Sequence, residues 1–116
     1  MSLPATFDAL IEEANSLDLY KKLIFQLNKD LLYANVDLEF NEDTLPTSLK
    51  LVLQETLFHL IQNKFSEYLN LLYIIDVSES KIKALDGSDV VQLSDEVTFL
   101  ILQREWQKVW YKAKYK

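Results

Sequence analysis

The stretch 45–76 constrains the fold of this chain more than any other part of the sequence. Pro46 fixes φ and lacks an amide proton, so it is tolerated at the start of a helix but not inside one. No glycine or proline follows before Asp76, and the sequence therefore predicts one long helix over about 46–76. Such a helix measures about 43 Å, whereas a compact chain of this length has a diameter of roughly 35 Å. The helix must bend, protrude or define an elongated bundle, and the sequence alone is compatible with a straight helix or with one broken near Asn63.

Two arcs of very different width surround this helix when its residues are placed at about 100° intervals. The polar arc contains Glu55, His59, Gln62, Asn63, Ser66 and Asn70. The apolar positions fill most of the remainder and comprise Leu49, Leu53, Leu57, Leu60, Ile61, Phe65, Tyr68, Leu71, Leu72 and Ile75. Because one neighbouring helix cannot cover so wide an arc, we expect at least two neighbours, some of which could come from a second subunit.

The composition indicates one soluble domain spanning residues 1–116, with 49% hydrophobic residues to build a core. There is no cysteine, which excludes disulfides, thiolate nucleophiles and cysteine-based zinc sites and fits a cytoplasmic location. The sequence has neither the pattern of a signal peptide nor an uninterrupted apolar run long enough for a transmembrane helix.

Two shorter helices are predicted before the long one. Pro4 and Thr6 can open the first, and the second covers about 17–34, although Leu17 would also continue the stripe of the first. The inward stripe of the second helix comprises Tyr20, Leu23, Ile24, Leu27, Leu31 and Ala34. Phe25 and Leu32 lie off that stripe, seven residues apart and hence on the same flank. They are either covered within the fold or part of a subunit contact.

The remaining segments complete an all-α prediction. Residues 35–44 alternate apolar and polar positions, which indicates extended chain, and only 89–93 could pair with it, so at most a minor β element is expected. Ser78 can cap a short helix over 79–85, and Ser94 or Asp95 can cap a last helix. The sequence thus predicts a small helical bundle of four to five helices around the long central one.

No catalytic, cofactor or metal site is predicted. His59, the only histidine, lies one turn from both Glu55 and Asn63, which is either a general base with its orienting carboxylate or an ordinary solvated helix face. One histidine cannot supply the paired Glu-x-x-His motifs of a di-iron bundle. The acidic segment 37–43 lacks the glycine and glutamate of an EF-hand loop. A single glycine cannot build a glycine-rich phosphate cradle.

The charge of −6 is unevenly distributed, because residues 104–116 contain five basic residues and one acidic one. Arg104, Lys108 and Lys112 follow at four-residue steps beside Tyr111 and Tyr115, with Trp106 and Trp110 on the opposite face. This basic end fits a protein partner, nucleic acid or anionic lipid, or it simply complements the dipole of its helix while the tryptophans belong to the core.

Three functions remain open on the sequence alone. The preferred one is a non-enzymatic, cytoplasmic, helical protein–protein interaction module that self-associates as a homodimer or binds another protein. Its candidate surface comprises Phe25, Leu32, Arg104, Trp106, Lys108, Trp110, Tyr111, Lys112 and Tyr115. The first alternative is a nucleic-acid-associated protein that uses the cations Arg104, Lys108, Lys112, Lys114 and Lys116. The second is small-molecule binding or catalysis in a pocket of the bundle, with Glu55, His59 and Asn63 as weak candidates.

Overall fold

The computed structural model describes residues 2–115, and within that range it contains six helices and no strand. The helices are α1 (Phe7–Ser16), α2 (Tyr20–Tyr33), α3 (Pro46–Asn63), α4 (Phe65–Ile75), α5 (Glu79–Lys83) and α6 (Val90–Lys114). The prediction of a small all-α bundle is confirmed.

The stretch 46–76, predicted as one long helix that is either straight or broken near Asn63, is broken, because the chain turns at Lys64, where φ is −143° and ψ is 59°. Four to five helices were expected, and this break brings the number among the described residues to six. A straight rod of about 43 Å would exceed the longest dimension of the molecule, 37 Å. Turning at Lys64 instead lets α4 bury Tyr68, Leu71 and Ile75 in the common core. Burial of these side chains outweighs the helical hydrogen bonds lost at the turn.

Helix α6 is the element around which the bundle packs, since it contacts α1, α2, α3 and α4. Its largest buried side chain is Trp106, which is fully inaccessible and donates a hydrogen bond from Nε1 to Glu13 Oε2 at 2.8 Å. The apolar arc of α3 and α4 is covered mainly by helices of the same chain, with Phe65, at 54% exposure, as the main exception. The structure therefore satisfies that arc without a second subunit.

Helix α6 also begins earlier than predicted. Asp89, not Ser94 or Asp95, is its N-cap, and Asp89 Oδ1 accepts hydrogen bonds from the amides of Val91 and Gln92 at 3.0 and 3.2 Å. The stretch proposed as a possible β partner is therefore the first turn of a helix. Capping by Asp89 satisfies amides that would otherwise have no partner at the helix start.

The segment 35–44, predicted to be extended, is non-helical, but tight turns interrupt it: Leu38 N donates to Val36 O at 2.9 Å and Thr44 N donates to Asn41 O at 3.0 Å. We keep the name extended segment for residues 36–41, which pair with a side chain and not with a strand. Asn28 of α2 donates to Phe40 O and accepts from Phe40 N, both at 2.8 Å. Phe40 is buried and Val36 and Leu38 are half-buried, whereas Asp37 and Glu39 are exposed. The alternation seen in the sequence thus places the apolar side chains against α2.

Left-handed residues terminate three of the helical segments. Asp18, Asn35 and Asp76 have φ values of 57°, 58° and 67°, and Asp and Asn are the non-glycine residues that adopt this conformation most readily. The turn at Asp18 separates α1 from α2, which begins at Tyr20 and not near Leu17. Among the described helices, all are too short or too polar to cross a bilayer.

Candidate interaction surface on helix α2

The side of α2 that points away from the core carries apolar side chains. Phe25 is 71% exposed, Leu32 72% and Tyr33 61%. At 100° per residue, Phe25 and Leu32 lie about 20° apart and roughly opposite the buried Leu27. The predicted shared flank of Phe25 and Leu32 agrees with this arrangement, but the interpretation that the fold covers them is wrong. We call Phe25, Lys29, Leu32 and Tyr33 the α2 face.

A groove runs beside the α2 face. It has a volume of about 500 Å³ and lies between α2 and the extended segment, where Val36 and Leu38 form the opposite wall. Lys29 Nζ lies 5.9 Å from the centre of the Tyr33 ring, so its apolar stem follows the face while its ammonium reaches the rim. The face and the groove together form a continuous, mainly apolar surface.

The two long edges of this surface carry opposite charges. On one side α2 borders the end of α6, where Lys22 and Lys112 line a second groove together with Phe25. On the other side the extended segment presents Asp37 and Glu39. Lys29 follows Lys22 by seven residues and so lies on the same side of α2, although it also borders the first groove. We call Lys22, Lys29 and Lys112 the basic flank, and Asp37 and Glu39 the acidic flank. Within residues 2–115 none of these five charged groups belongs to an ion pair.

A buried polar cluster lies beneath the basic flank, where α2 packs on α6. Lys108 Nζ donates to Asp30 Oδ2 at 2.8 Å, and Gln26 Nε2 donates to the same oxygen at 3.3 Å. Lys108 Nζ also lies 3.3 Å from Glu105 Oε1, in an orientation that makes no hydrogen bond. We call Gln26, Asp30, Glu105 and Lys108 the α2–α6 seam.

Glu105 is the unusual member of the seam because its carboxyl group is fully buried. Burial, reinforced by the adjacent carboxylate of Asp30, raises the pKa of Glu105 to about 9. Burial also acts to raise the pKa of Asp30, but the adjacent Glu105 and the hydrogen bond and charge of Lys108 outweigh it and leave that pKa lowered. At neutral pH Glu105 is therefore protonated, Asp30 is charged, and the seam is neutral overall with Lys108.

Lys112 connects this seam to the surface. Its Nζ donates to Gln26 Oε1 at 2.6 Å, while Gln26 Nε2 donates to Asp30. Gln26 is 5% exposed, and its amide joins the buried carboxylate of Asp30 to Lys112 at the rim of the α2 face through two hydrogen bonds. The position of Lys112 in the basic flank is thereby tied to the packing of α2 on α6.

The cations predicted to form a free basic surface are mostly engaged within the chain. Arg104 donates to Asp76 O at 3.0 Å and to Asp76 Oδ2 at 3.2 Å, which fastens the end of α4. Lys108 and Lys112 are held by the seam, and Lys114 Nζ lies 5.3 Å from the ring centre of Trp110. Lys116 lies outside the described residues.

The aromatic candidates of α6 separate into buried and exposed members. The placement of Trp106 on an interaction surface is wrong, because its side chain is fully buried. Trp110 is half-buried. Tyr111 and Tyr115 are 40% and 69% exposed, and their rings stack with centres 5.7 Å apart. Only the two tyrosines remain as exposed aromatic groups at this end of the helix.

The weak polar candidates Glu55, His59 and Asn63 lie exposed along α3. Asn63 Nδ2 is 3.2 Å from His59 Nδ1, an ordinary contact between residues four apart on a helix. Among the described residues no group of three or more acidic, histidine or cysteine side chains is placed to hold a metal ion.

Sequence reasoning missed the seam. The assignment of Gln26 and Asp30 to the outer, polar side of the second helix is wrong, and Glu105 was counted only as a charge. Asp30 and Glu105 each occupy a core position of their helix: Asp30 follows Leu23 and Leu27, and Glu105 lies between Ile101 and Val109. A carboxylate at a stripe position on each of two helices is the signal that predicts a buried pair.

A second apolar stripe lies on α4. Phe65, Leu69 and Tyr73, four residues apart, are 54%, 49% and 81% exposed. The nearest charges on α4 and at its start, Lys64 and Glu67, pair with each other at 3.7 Å. This stripe therefore resembles the α2 face in apolar exposure, but the two charges that its own helix places beside it already pair with each other.

No protein family model matches the chain, and neither the curated proteins nor the solved structures include one that matches it significantly.

Proposed function

We propose that this protein is a non-enzymatic helical protein–protein interaction module that self-associates through the α2 face. The observation that carries the proposal is the position of Phe25 and Leu32, two large apolar side chains at the centre of an outward helix face. Together with Tyr33 they expose on the order of 400 Å² of mostly apolar surface, which is the size of patch that often marks an interaction site.

The flanking charges support a protein as the partner. Apolar anchors surrounded by a charged rim are the usual anatomy of a protein interface, in which the centre supplies the affinity and the rim the selectivity. The proposal includes a cytoplasmic location, which rests only on the absence of cysteine from the sequence.

Binding of nucleic acid is the weaker alternative. Arg104, Lys108 and Lys112 already satisfy Asp76, Asp30 and Gln26, so binding phosphates with them would cost those contacts. The remaining cation of the described part of α6, Lys114, and the stacked tyrosines offer little to a polyanion that approaches an acidic chain.

Sedimentation equilibrium over a wide range of protein concentration tests the proposal. We expect a dimer with a dissociation constant in the micromolar range, since the exposed apolar area is about half of the roughly 800 Å² per partner typical of stable complexes. The double variant Phe25→Glu, Leu32→Glu should weaken association about 100-fold or more. The dimer should persist at high salt, because its centre is apolar.

The stripe on α4 provides a matched control. Leu69→Glu, Tyr73→Glu introduces the same two charges on an equally exposed apolar surface and should leave the dissociation constant within about threefold of the wild type. Thermal unfolding verifies that both double variants are folded. A wild-type chain that stays monomeric at millimolar concentration, or a control that weakens association as much as the α2 variant, would refute the α2 face as the contact.

A further inference from the structure

The charges beside the α2 face differ across the helix, and this difference constrains how two copies can meet. The extended segment returns along one side of α2, where Asn28 holds Phe40, and it places Asp37 and Glu39 on that side. The end of α6 borders the other side and places Lys112 next to Lys22. The charge thus changes sign across the helix, and the apolar centre lies between the two flanks.

A twofold axis can relate two such faces in two extreme ways. If the axis runs across α2, the two helices are antiparallel and each flank meets its own copy, so that lysines oppose lysines and carboxylates oppose carboxylates. If the axis runs along α2, the helices are parallel and the flanks exchange sides, so that the basic flank of each copy meets the acidic flank of the other. Only the second arrangement is electrostatically complementary.

We propose that two copies of this chain pair through parallel α2 helices, with Phe25 and Leu32 each contacting its own counterpart and each basic flank facing the partner's acidic flank. This inference rests on the proposed function and adds the geometry of the dimer to it. Lys22, Lys29, Asp37 and Glu39 are exposed and belong to no ion pair within residues 2–115, so pairing across the dimer breaks no ion pair of the monomer. Lys112 adds its charge to the basic flank while it keeps its hydrogen bond to Gln26.

Cysteine cross-linking distinguishes the two arrangements, and the absence of native cysteine makes the experiment unambiguous. Phe25 and Leu32 are separated by about 10 Å along the helix, whereas a disulfide needs Cα atoms within about 7 Å. In a parallel pair, Phe25→Cys and Leu32→Cys should each form a disulfide-linked dimer on mild oxidation. In an antiparallel pair the axis can pass close to only one of these positions, so at most one of the two variants should link.

The outcomes separate the inference from the proposed function. Linking at one position only, in a protein whose wild-type dimer is still dissociated by Phe25→Glu, Leu32→Glu, would overturn the parallel arrangement and leave the α2 contact in place. Linking at neither position, or a monomeric wild type, would overturn the arrangement as well. Leu69→Cys on α4 serves as the control and should show only the background of random collisions.

Charge reversal supplies an independent readout. Lys22→Glu, Lys29→Glu makes both flanks acidic and should weaken the parallel dimer about tenfold at low salt, with a smaller effect at high salt. Adding Asp37→Lys, Glu39→Lys to the same chain reverses both flanks and should restore association. An antiparallel dimer predicts little weakening for the first variant, because glutamates opposing glutamates would replace lysines opposing lysines. Unchanged or tighter association of the first variant would therefore overturn the inference.

Discussion

The two sides of α2 reverse the usual pattern of burial, because polar side chains are buried on one side and apolar side chains are exposed on the other. The side that packs on α6 buries Gln26 and Asp30, each 5% exposed, while the outward side leaves Phe25 and Leu32 more than 70% exposed. A rotation of α2 by about 100° would move Phe25 into the place of Gln26, but it would separate Asp30 from Lys108. Buried ion pairs contribute little net stability, yet breaking one is costly, so they can specify an orientation. The comparison shows how a polar seam can hold an apolar face outward.

Removing the cation of the α2–α6 seam should lower the stability of the fold more than any other change proposed below. Lys108→Met leaves the charge of Asp30 buried without its partner at 2.8 Å, and we expect a loss of about 3–5 kcal/mol in the free energy of unfolding. Urea denaturation measures it. The matched variant Lys29→Met, on the outward side, should change stability by less than about 0.5 kcal/mol. Similar values for the two variants would show that the seam does not hold α2.

The double variant Asp30→Leu, Lys108→Met sharpens the same comparison. Replacing both charges by apolar groups should recover most of the stability lost in Lys108→Met. If the ion pair sets the rotation of α2, the double variant should also associate more weakly, because Phe25 can then turn toward the core. Recovery of stability with unchanged association would mean that apolar packing alone fixes the rotation.

The pH dependence of stability should reveal the buried proton of Glu105. The pKa of Glu105 is raised from its ordinary value of 4.5 to about 9 in the folded state, so between these values the folded chain holds a proton that the unfolded chain has released. This contribution is complete below the lower pKa and is lost as pH rises toward the upper one. As pH rises from 6 to 8, the free energy of unfolding of the wild type should therefore fall by on the order of 1–3 kcal/mol.

Glu105→Gln is the matched variant for this measurement, because a glutamine has the same shape and does not titrate. Its unfolding free energy should be flatter than that of the wild type over this range, and their difference should grow in favour of the variant as pH rises. Parallel profiles for the two proteins would contradict a protonated Glu105. Outward variants such as Phe25→Glu should keep the wild-type profile.

A smaller effect is expected where α2 holds the acidic flank. Asn28→Ala removes both hydrogen bonds to Phe40 and should cost about 1–2 kcal/mol of stability. It should also weaken association a few-fold, because Asp37 and Glu39 lose their fixed position. Asn70→Ala, which removes one long contact of 3.5 Å to Ala34 O, provides the control and should cost less than about 0.5 kcal/mol. Equal losses would contradict the role given to Asn28.

The smallest effect on stability is expected on the outward side itself. Phe25→Ser at protein concentrations below the dissociation constant should change the free energy of unfolding by less than about 0.5 kcal/mol, because its side chain is 71% exposed. Leu27 is two residues further along the helix and fully buried, so Leu27→Ser should lower the free energy of unfolding by several kcal/mol. A large loss for Phe25→Ser in the monomer would mean that the fold covers this side chain.

Helical periodicity was sufficient to predict the bundle but not its divisions. The stripes of α2 and α3 predicted most of the buried apolar residues, since each stripe depends only on local spacing, but they missed the buried Gln26 and Asp30 of α2. No glycine or proline marks the break at Lys64. The break arises because α4 packs against the rest of the core only if the chain turns there. The early start of α6 was missed because 89–93 carries β-branched residues that also suit a strand.

The candidate surface was predictable only in part for a similar reason. The spacing of Phe25 and Leu32 placed them on one flank, but their exposure depends on which elements surround α2. The cations of α6 were candidates for a free surface or for a helix end that complements its dipole, because the sequence does not show that Asp76 and Asp30 lie within reach of Arg104 and Lys108. Contacts between residues that are 28 and 78 positions apart depend on the tertiary fold.

The late position of α6 in the chain has a consequence for synthesis on the ribosome. Helices α1 to α4 leave the ribosome before the helix that contacts all four of them. At about 5–20 residues per second, the 25 residues of α6 take on the order of 1–5 s to add. During that interval Leu49, Leu53 and Leu57 lack their main covering helix. The nascent chain therefore exposes apolar surface of α3 until α6 packs on it.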